Sequence, residues 1–113
     1  SRGLGDVYKR QDKKQNEKQA LLDKSRFLGI ASGANCMLNI DRLTSEQAQY
    51  FVVKQLKKDD LEYLMDWGRE PQVVQTILRL SKAYPSDCNP NKMNWDKFNK
   101  VFDEEITKLE KVK

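Results

Sequence analysis

The chain has 113 residues, 21 Lys+Arg against 17 Asp+Glu, a formal net charge of +4, and no histidine. That length makes one domain, large enough to close a hydrophobic core without a metal or a disulfide framework. The lack of histidine excludes Ser–His and Cys–His nucleophile pairs and imidazole metal sites, and no apolar run in the sequence is long enough to span a membrane.

A charged fraction of 34% with only five Gly and three Pro suits a helical domain better than a β-sandwich. The expected fold class is all-α, a small bundle of four to five helices. Cys36 and Cys88 stand far apart and form no CxxC motif. Two thiols cannot complete a structural zinc site. A pair of free thiols in a cytoplasmic protein is the expectation, with a single bridge as the alternative. Neither G-x-x-x-x-G-K-[ST] nor G-x-G-x-x-G occurs, so no phosphate cradle is visible. The carboxylates fall on expected helix surfaces, with no apolar pocket to shift a pKa. The expectation is a non-catalytic chain with no cofactor and no metal.

Residues 1–11, SRGLGDVYKRQ, have a different character. They resemble the in-frame translation of the end of a transposon-based sequencing adaptor. That resemblance implies a non-native leader, a single helical domain over residues 12–113, and a piece of a longer protein. The leader contributes Arg2, Lys9 and Arg10 against Asp6. Taking three from 21 basic and one from 17 acidic residues leaves 18 and 16, a net charge of only +2. A strongly basic nucleic-acid footprint is therefore absent.

After a polar lead, apolar residues fall at helical spacing from Glu17 onward: Ala20, Leu21, Phe27, Leu28 and Ala31. The pattern predicts an amphipathic helix ending near Ser32-Gly33. Residues 34–43 leave open an extended connector or a further helical turn. Thr44 to Gln47 then fits a capping box. Ala48, Phe51, Val52, Gln55 and Leu56 form the next inward stripe, with Lys54, Lys57 and Lys58 toward the C-terminal end, where the helix dipole favours them. Asp59, followed by Glu62, predicts the N-cap of a two-turn helix that buries Leu61, Leu64 and Met65. Gly68 is expected to end that helix in the left-handed conformation. Pro71 opens another, broadly apolar through Val73, Val74, Ile77, Leu78 and Leu80, and expected to lie near the middle of the core. Pro85 stops it, and residues 86–92 are turn chemistry. Asn94 is a candidate cap for a last helix in which Trp95, Phe98, Val101, Phe102, Ile106, Leu109 and Val112 recur at three and four. Glu105 interrupts a strict heptad. With Asp103, Glu104, Lys108 and Lys111 it reads as a solvated face.

The one lead toward function lies in residues 60–80. Gly68 in a turn, Pro71 opening the following helix, and Val74 and Ile77 holding it down resemble the helix-turn-helix of bacterial regulators and phage proteins. The resemblance implies double-stranded DNA as partner, with Gln72, Gln75, Thr76 and Arg79 on base edges in the major groove and Lys82 on a phosphate. The sequence departs from that pattern at Leu64, Arg69 and Glu70. The competing expectation is a protein partner or self-association, anchored by Trp95, Phe98 and Phe102 on the last helix. Exposure discriminates the two. Exposed Gln75, Thr76 and Arg79 on a positive face favour DNA, whereas an uncovered Trp95 or Phe98 favours a protein.

Overall fold

Two neighbouring side chains, Phe27 and Leu28, divide the core between them. In the computed structural model, which describes the backbone of residues 2–111 and the side chains of residues 17–111, both lie on α1 (Arg2–Asn39). The adaptor-like leader and Val112 lie outside the residues whose side chains are described. Leu28 packs with Val73, Leu80, Met93 and Phe98, and Phe27 packs with Leu56, Leu61 and Leu64. Partly buried Trp67 and Ile77 touch both groups and join them. Around α1 stand α2 (Ser45–Lys58), the one-turn α3 (Met65–Gly68), α4 (Pro71–Ser81) and α5 (Trp95–Lys111), with 3-10 turns at Glu62–Leu64 and Pro90–Lys92. Among the described residues the fold is all-α, a small bundle of five α-helices.

α1 does not stop near Ser32-Gly33. It runs on to Asn39, because the small polar residues that look like a terminator form a packing seam instead. Ser32 is fully buried. Its hydroxyl lies 3.1 Å from the Tyr84 hydroxyl, and its carbonyl accepts from Ser81 Oγ at 3.1 Å. Asn35 Nδ2 donates to Ser81 Oγ at 2.9 Å, and Tyr84 Oη donates to the Gly29 carbonyl at 3.2 Å. Burial pushes the Tyr84 hydroxyl pKa up. The seam satisfies these groups away from water, where an unpaired one would cost about 1–3 kcal/mol.

Both helix ends flanking α2 are made by aspartates. Asp41 takes φ 60° after α1 and Asp60 takes φ 57° after α2. Arg42 N–H bonds the Met37 carbonyl and Asp41 N–H bonds that of Leu38; Leu61 N–H bonds the Leu56 carbonyl and Asp60 N–H bonds that of Lys57. Each pair is a Schellman closure, a position that usually takes glycine but which Asp tolerates. At the second, buried Leu56 and Leu61 complete the motif with an apolar contact. Asp59 therefore ends α2 rather than capping a new helix. The expected two-turn helix is replaced by the Glu62–Leu64 turn and α3. The Tyr63 hydroxyl fastens this turn to α1 by donating to Asp23 Oδ2. That bond pushes the Tyr63 pKa up to about 12 and holds the Asp23 carboxyl below its usual range.

Other expectations hold in detail. Thr44 and Gln47 make the reciprocal capping box, Pro71 opens α4, and Asn94 Oδ1 accepts from Lys97 N–H at 3.1 Å to cap α5. Three side chains turn the other way. Phe51 is exposed rather than inward, and so are Val74 and Leu78 on α4.

Gly68 has a reason other than backbone freedom. No glycine among the described residues has positive φ. A Cβ at Gly68 would lie 2.2 Å from Phe27 Cζ, so the residue is small because the Phe27 ring occupies the space. Cys36 and Cys88 are bridged across 52 residues, their Cα atoms 5.9 Å apart. This corrects the expectation of free thiols and removes its argument for a cytoplasmic setting, since structural bridges persist in oxidising compartments. The bridge pins the loop between α4 and α5, where Cys88 itself takes φ 59°. The Lys92 ammonium, 2.9 Å from Asp87 Oδ2, holds that carboxyl below the usual range and closes the same loop.

Replacing both cysteines with serine is expected to lower the unfolding free energy by about 4 kcal/mol, the chain-entropy value for a loop of this length, read as a fall in the urea midpoint. Gly68→Ala is expected to cost about 1–3 kcal/mol by overpacking against Phe27. Gly29→Ala, where an added Cβ meets nothing within 4 Å, should be neutral or stabilising in the same titration.

Candidate functional site

The α4 helix carries the residues that the helix-turn-helix resemblance assigns to DNA. Its N-cap, Glu70, makes no side-chain capping bond, and its carboxylate instead accepts from Gln72 Nε2 at 3.1 Å. Thr76 is 1% exposed, and its hydroxyl donates to the Gln72 carbonyl at 2.9 Å. It faces the interior and presents nothing to a base edge. Gln75 and Lys82 are exposed. Arg79 is exposed, 47% of its side chain, and also braces the fold, because its Nε donates to Glu105 Oε1 at 2.9 Å.

Glu105 does not belong to the solvated face. Its side chain is 8% exposed and lies between α4 and α5, with Lys108 Nζ 3.9 Å from the same oxygen. Its other oxygen, Oε2, is buried without a hydrogen-bond partner. A carboxylate so placed depends on its counter-charge, since desolvating an unpaired charge costs several kcal/mol. The interruption of the apolar repeat at position 105 is the sequence signal for this pair, but only the approach of α5 to α4 identifies Arg79 as the partner. The resulting face combines Gln75, Arg79 and Lys82 with Glu70 and with exposed Val74 and Leu78. It is mixed in charge and partly apolar, and the helix before it is a single turn.

The aromatic residues of α5 part company as well. Phe98 is buried, edge-on to Tyr84 at 5.4 Å between ring centroids, and Phe102 is half-buried against the same core. Both are interior packing and correct the expectation of an exposed aromatic anchor. Trp95 alone is open, 51% exposed, with its ring edge-on to Phe98 at 5.8 Å.

A third feature was not visible in the sequence. Between α2 on one side and α3 and α4 on the other, α1 forms the floor of an open groove of about 540 Å³. Ala31 and Ala34 lie in its floor, with Leu38 beyond. Val52, Val53 and Leu56 line the α2 wall; Met65 and Ile77 line the other. The polar lining consists of Asn35, Ser45, Gln49 and Arg69, and no lining residue is acidic. The helical periodicity marks Ala31, Val52, Leu56, Met65 and Ile77 as inward residues of their own elements. That three helices leave a gap where those faces meet is a matter of their relative placement.

Among the described residues no group of His, Cys, Asp or Glu is placed to hold a metal ion, and no helix is long and apolar enough to cross a membrane. No family model matches the chain, and no curated protein or solved structure matches it either.

The Arg79–Glu105 pair gives a direct check on the role of Arg79. Arg79→Ala is expected to lower stability by roughly 1–3 kcal/mol by stranding the buried carboxylate. Combining it with Glu105→Leu should recover most of that loss in thermal and urea unfolding. A fully stable Arg79→Ala protein would show the pair to be dispensable.

Proposed function

We propose that the chain is a non-catalytic binding module whose partner is an amphipathic helix of another protein, seated in the groove over α1. The observation that carries this reading is the groove itself. It is open and mainly apolar, with Ala31 and Ala34 in its floor and Val, Leu, Met and Ile side chains in its walls. Alanines in the floor let a partner backbone approach closely, and the walls offer apolar contact to side chains spaced at i, i+3 or i+4 and i+7, the spacing by which helices occupy such grooves. The charge pattern narrows the partner. Arg69 is the only ionisable side chain in the lining, and it is largely exposed at the groove edge. An Asp or Glu at the matching end of a ligand helix meets Arg69 beside its exposed partner Asp66, 3.3 Å away. Exposed Trp95 adds a second apolar contact point elsewhere on the surface, consistent with a protein rather than a nucleic acid as partner.

The test is selection of helical peptides from a displayed library against the folded, bridged protein, with the contact mapped by methyl chemical shifts. Expected winners carry three apolar residues on one face and an acidic end. They should move the Ala31, Val52, Val53 and Ile77 methyls and bind at least tenfold more weakly to the Val53→Glu protein. Winners that bind without moving those methyls, or no winners at all, would end the proposal. Salt-sensitive binding of duplex DNA lost in Gln75→Ala would replace it with the DNA reading.

A further inference from the structure

The opposite side of α2 holds an apolar surface that the groove does not use. Helical spacing puts Glu46, Tyr50 and Lys54 in one row, each four residues from the next, with Gln47 and Phe51 in the row beside it. These five, with Leu43 from the preceding turn, line one shallow open depression. Tyr50 is 69% exposed and Phe51 38%. Two adjacent aromatics displayed on one helix face mark an association surface better than scattered apolar residues do.

The order of charges along the row selects the partner. An acid stands one turn before Tyr50 and a base one turn after it. A two-fold axis passing by Tyr50 and relating two antiparallel α2 helices would set each Glu46 against the other copy's Lys54. The paired aromatics would lie between two such ion pairs. A parallel arrangement would instead set Glu46 against Glu46 and Lys54 against Lys54. A face that is its own complement under a two-fold is the signature of an isologous contact. Lys54 Nζ already lies over the Tyr50 ring, 6.0 Å from its centroid, a contact that either copy's ring can receive from either lysine.

We infer that the chain self-associates through antiparallel α2 helices, with Tyr50 and Phe51 at the centre and reciprocal Glu46–Lys54 pairs at the flanks. The partner is a second copy of this chain. Six side chains per copy form a small patch, so the dimer is in reversible exchange with monomer rather than obligate. The groove faces away from this contact, so a dimer would present two grooves outward and bind a tethered pair of ligand helices with avidity.

The experiment is sedimentation equilibrium of the full chain from micromolar to roughly millimolar concentration. Expected is a monomer–dimer equilibrium that Tyr50→Ser weakens at least tenfold. Glu46→Lys alone and Lys54→Glu alone should each weaken it similarly, because like charges then meet across the axis. Mixing those two variants in equal amounts should restore dimerisation, since each pair is again opposite in sign. Restoration on mixing cannot come from damage to the fold, and circular dichroism of each variant provides a second check. A wild-type chain that stays monomeric throughout would overturn the inference. So would a dimer indifferent to both charge reversals, or two weakened variants that fail to recover when mixed. None of these results bears on the groove, whose ligand is read by a separate titration.

Discussion

The fold depends on α1 passing through the middle of the molecule and being packed on two sides at once. Phe27 and Leu28 are adjacent in sequence, so a helix points them about 100° apart. Each fills a different half of the core. One half brings in α2 and the Glu62–Leu64 turn, and the other brings in α4, α5 and the loop between them. Trp67 and Ile77 reach both halves, which makes the two a continuous interior. The fit is close where it can be read directly. The Phe27 ring needs the space left by a missing Cβ at Gly68.

Polar chemistry then fixes the register that apolar packing leaves loose. Ser32, Asn35, Ser81 and Tyr84 bond to one another and to α1 carbonyls along the α1–α4 contact. Oily surfaces can slide by a fraction of a turn at little cost, whereas a buried hydrogen bond is lost if its partners shift by an ångström. The Cys36–Cys88 bridge and the Arg79–Glu105 pair do the same for the α4–α5 loop and for α5. Thr76 and Phe98 are buried in the domain, and Arg79 braces Glu105 while its side chain stays partly exposed.

What remains for function is the outer surface of that framework, on two sides of α2. One side opens onto α1 through alanines, and a gap forms because small residues meet there. The other displays aromatics between charges of opposite sign. As proposed, the apolar groove on one face and the self-complementary patch on the other would together bring two ligand helices side by side. That division places recognition on surfaces built from rigid helices, where small displacements of contact residues are resisted by the core beneath.

Local sequence was sufficient for several elements governed by local interactions, though not for the closures at Asp41 and Asp60. The all-α class, the Thr44–Gln47 capping box, the opening of α4 at Pro71 and the cap at Asn94 follow from helical periodicity and from bonds between residues three or four apart. The sequence also carried the reasons to exclude histidine-based catalysis. Tertiary structure decided the rest, because the deciding contacts come from far along the chain. Tyr84 and Ser81 keep α1 helical through Ser32 and Gly33. Phe27, not backbone conformation, requires glycine at 68. Glu105 gives Arg79, a candidate base-reading side chain, a part in bracing α5. A stripe of apolar residues records that a face is to be covered, but it cannot record by what. The groove and the exposed α2 face exist only because the neighbouring helices cover some of those stripes incompletely.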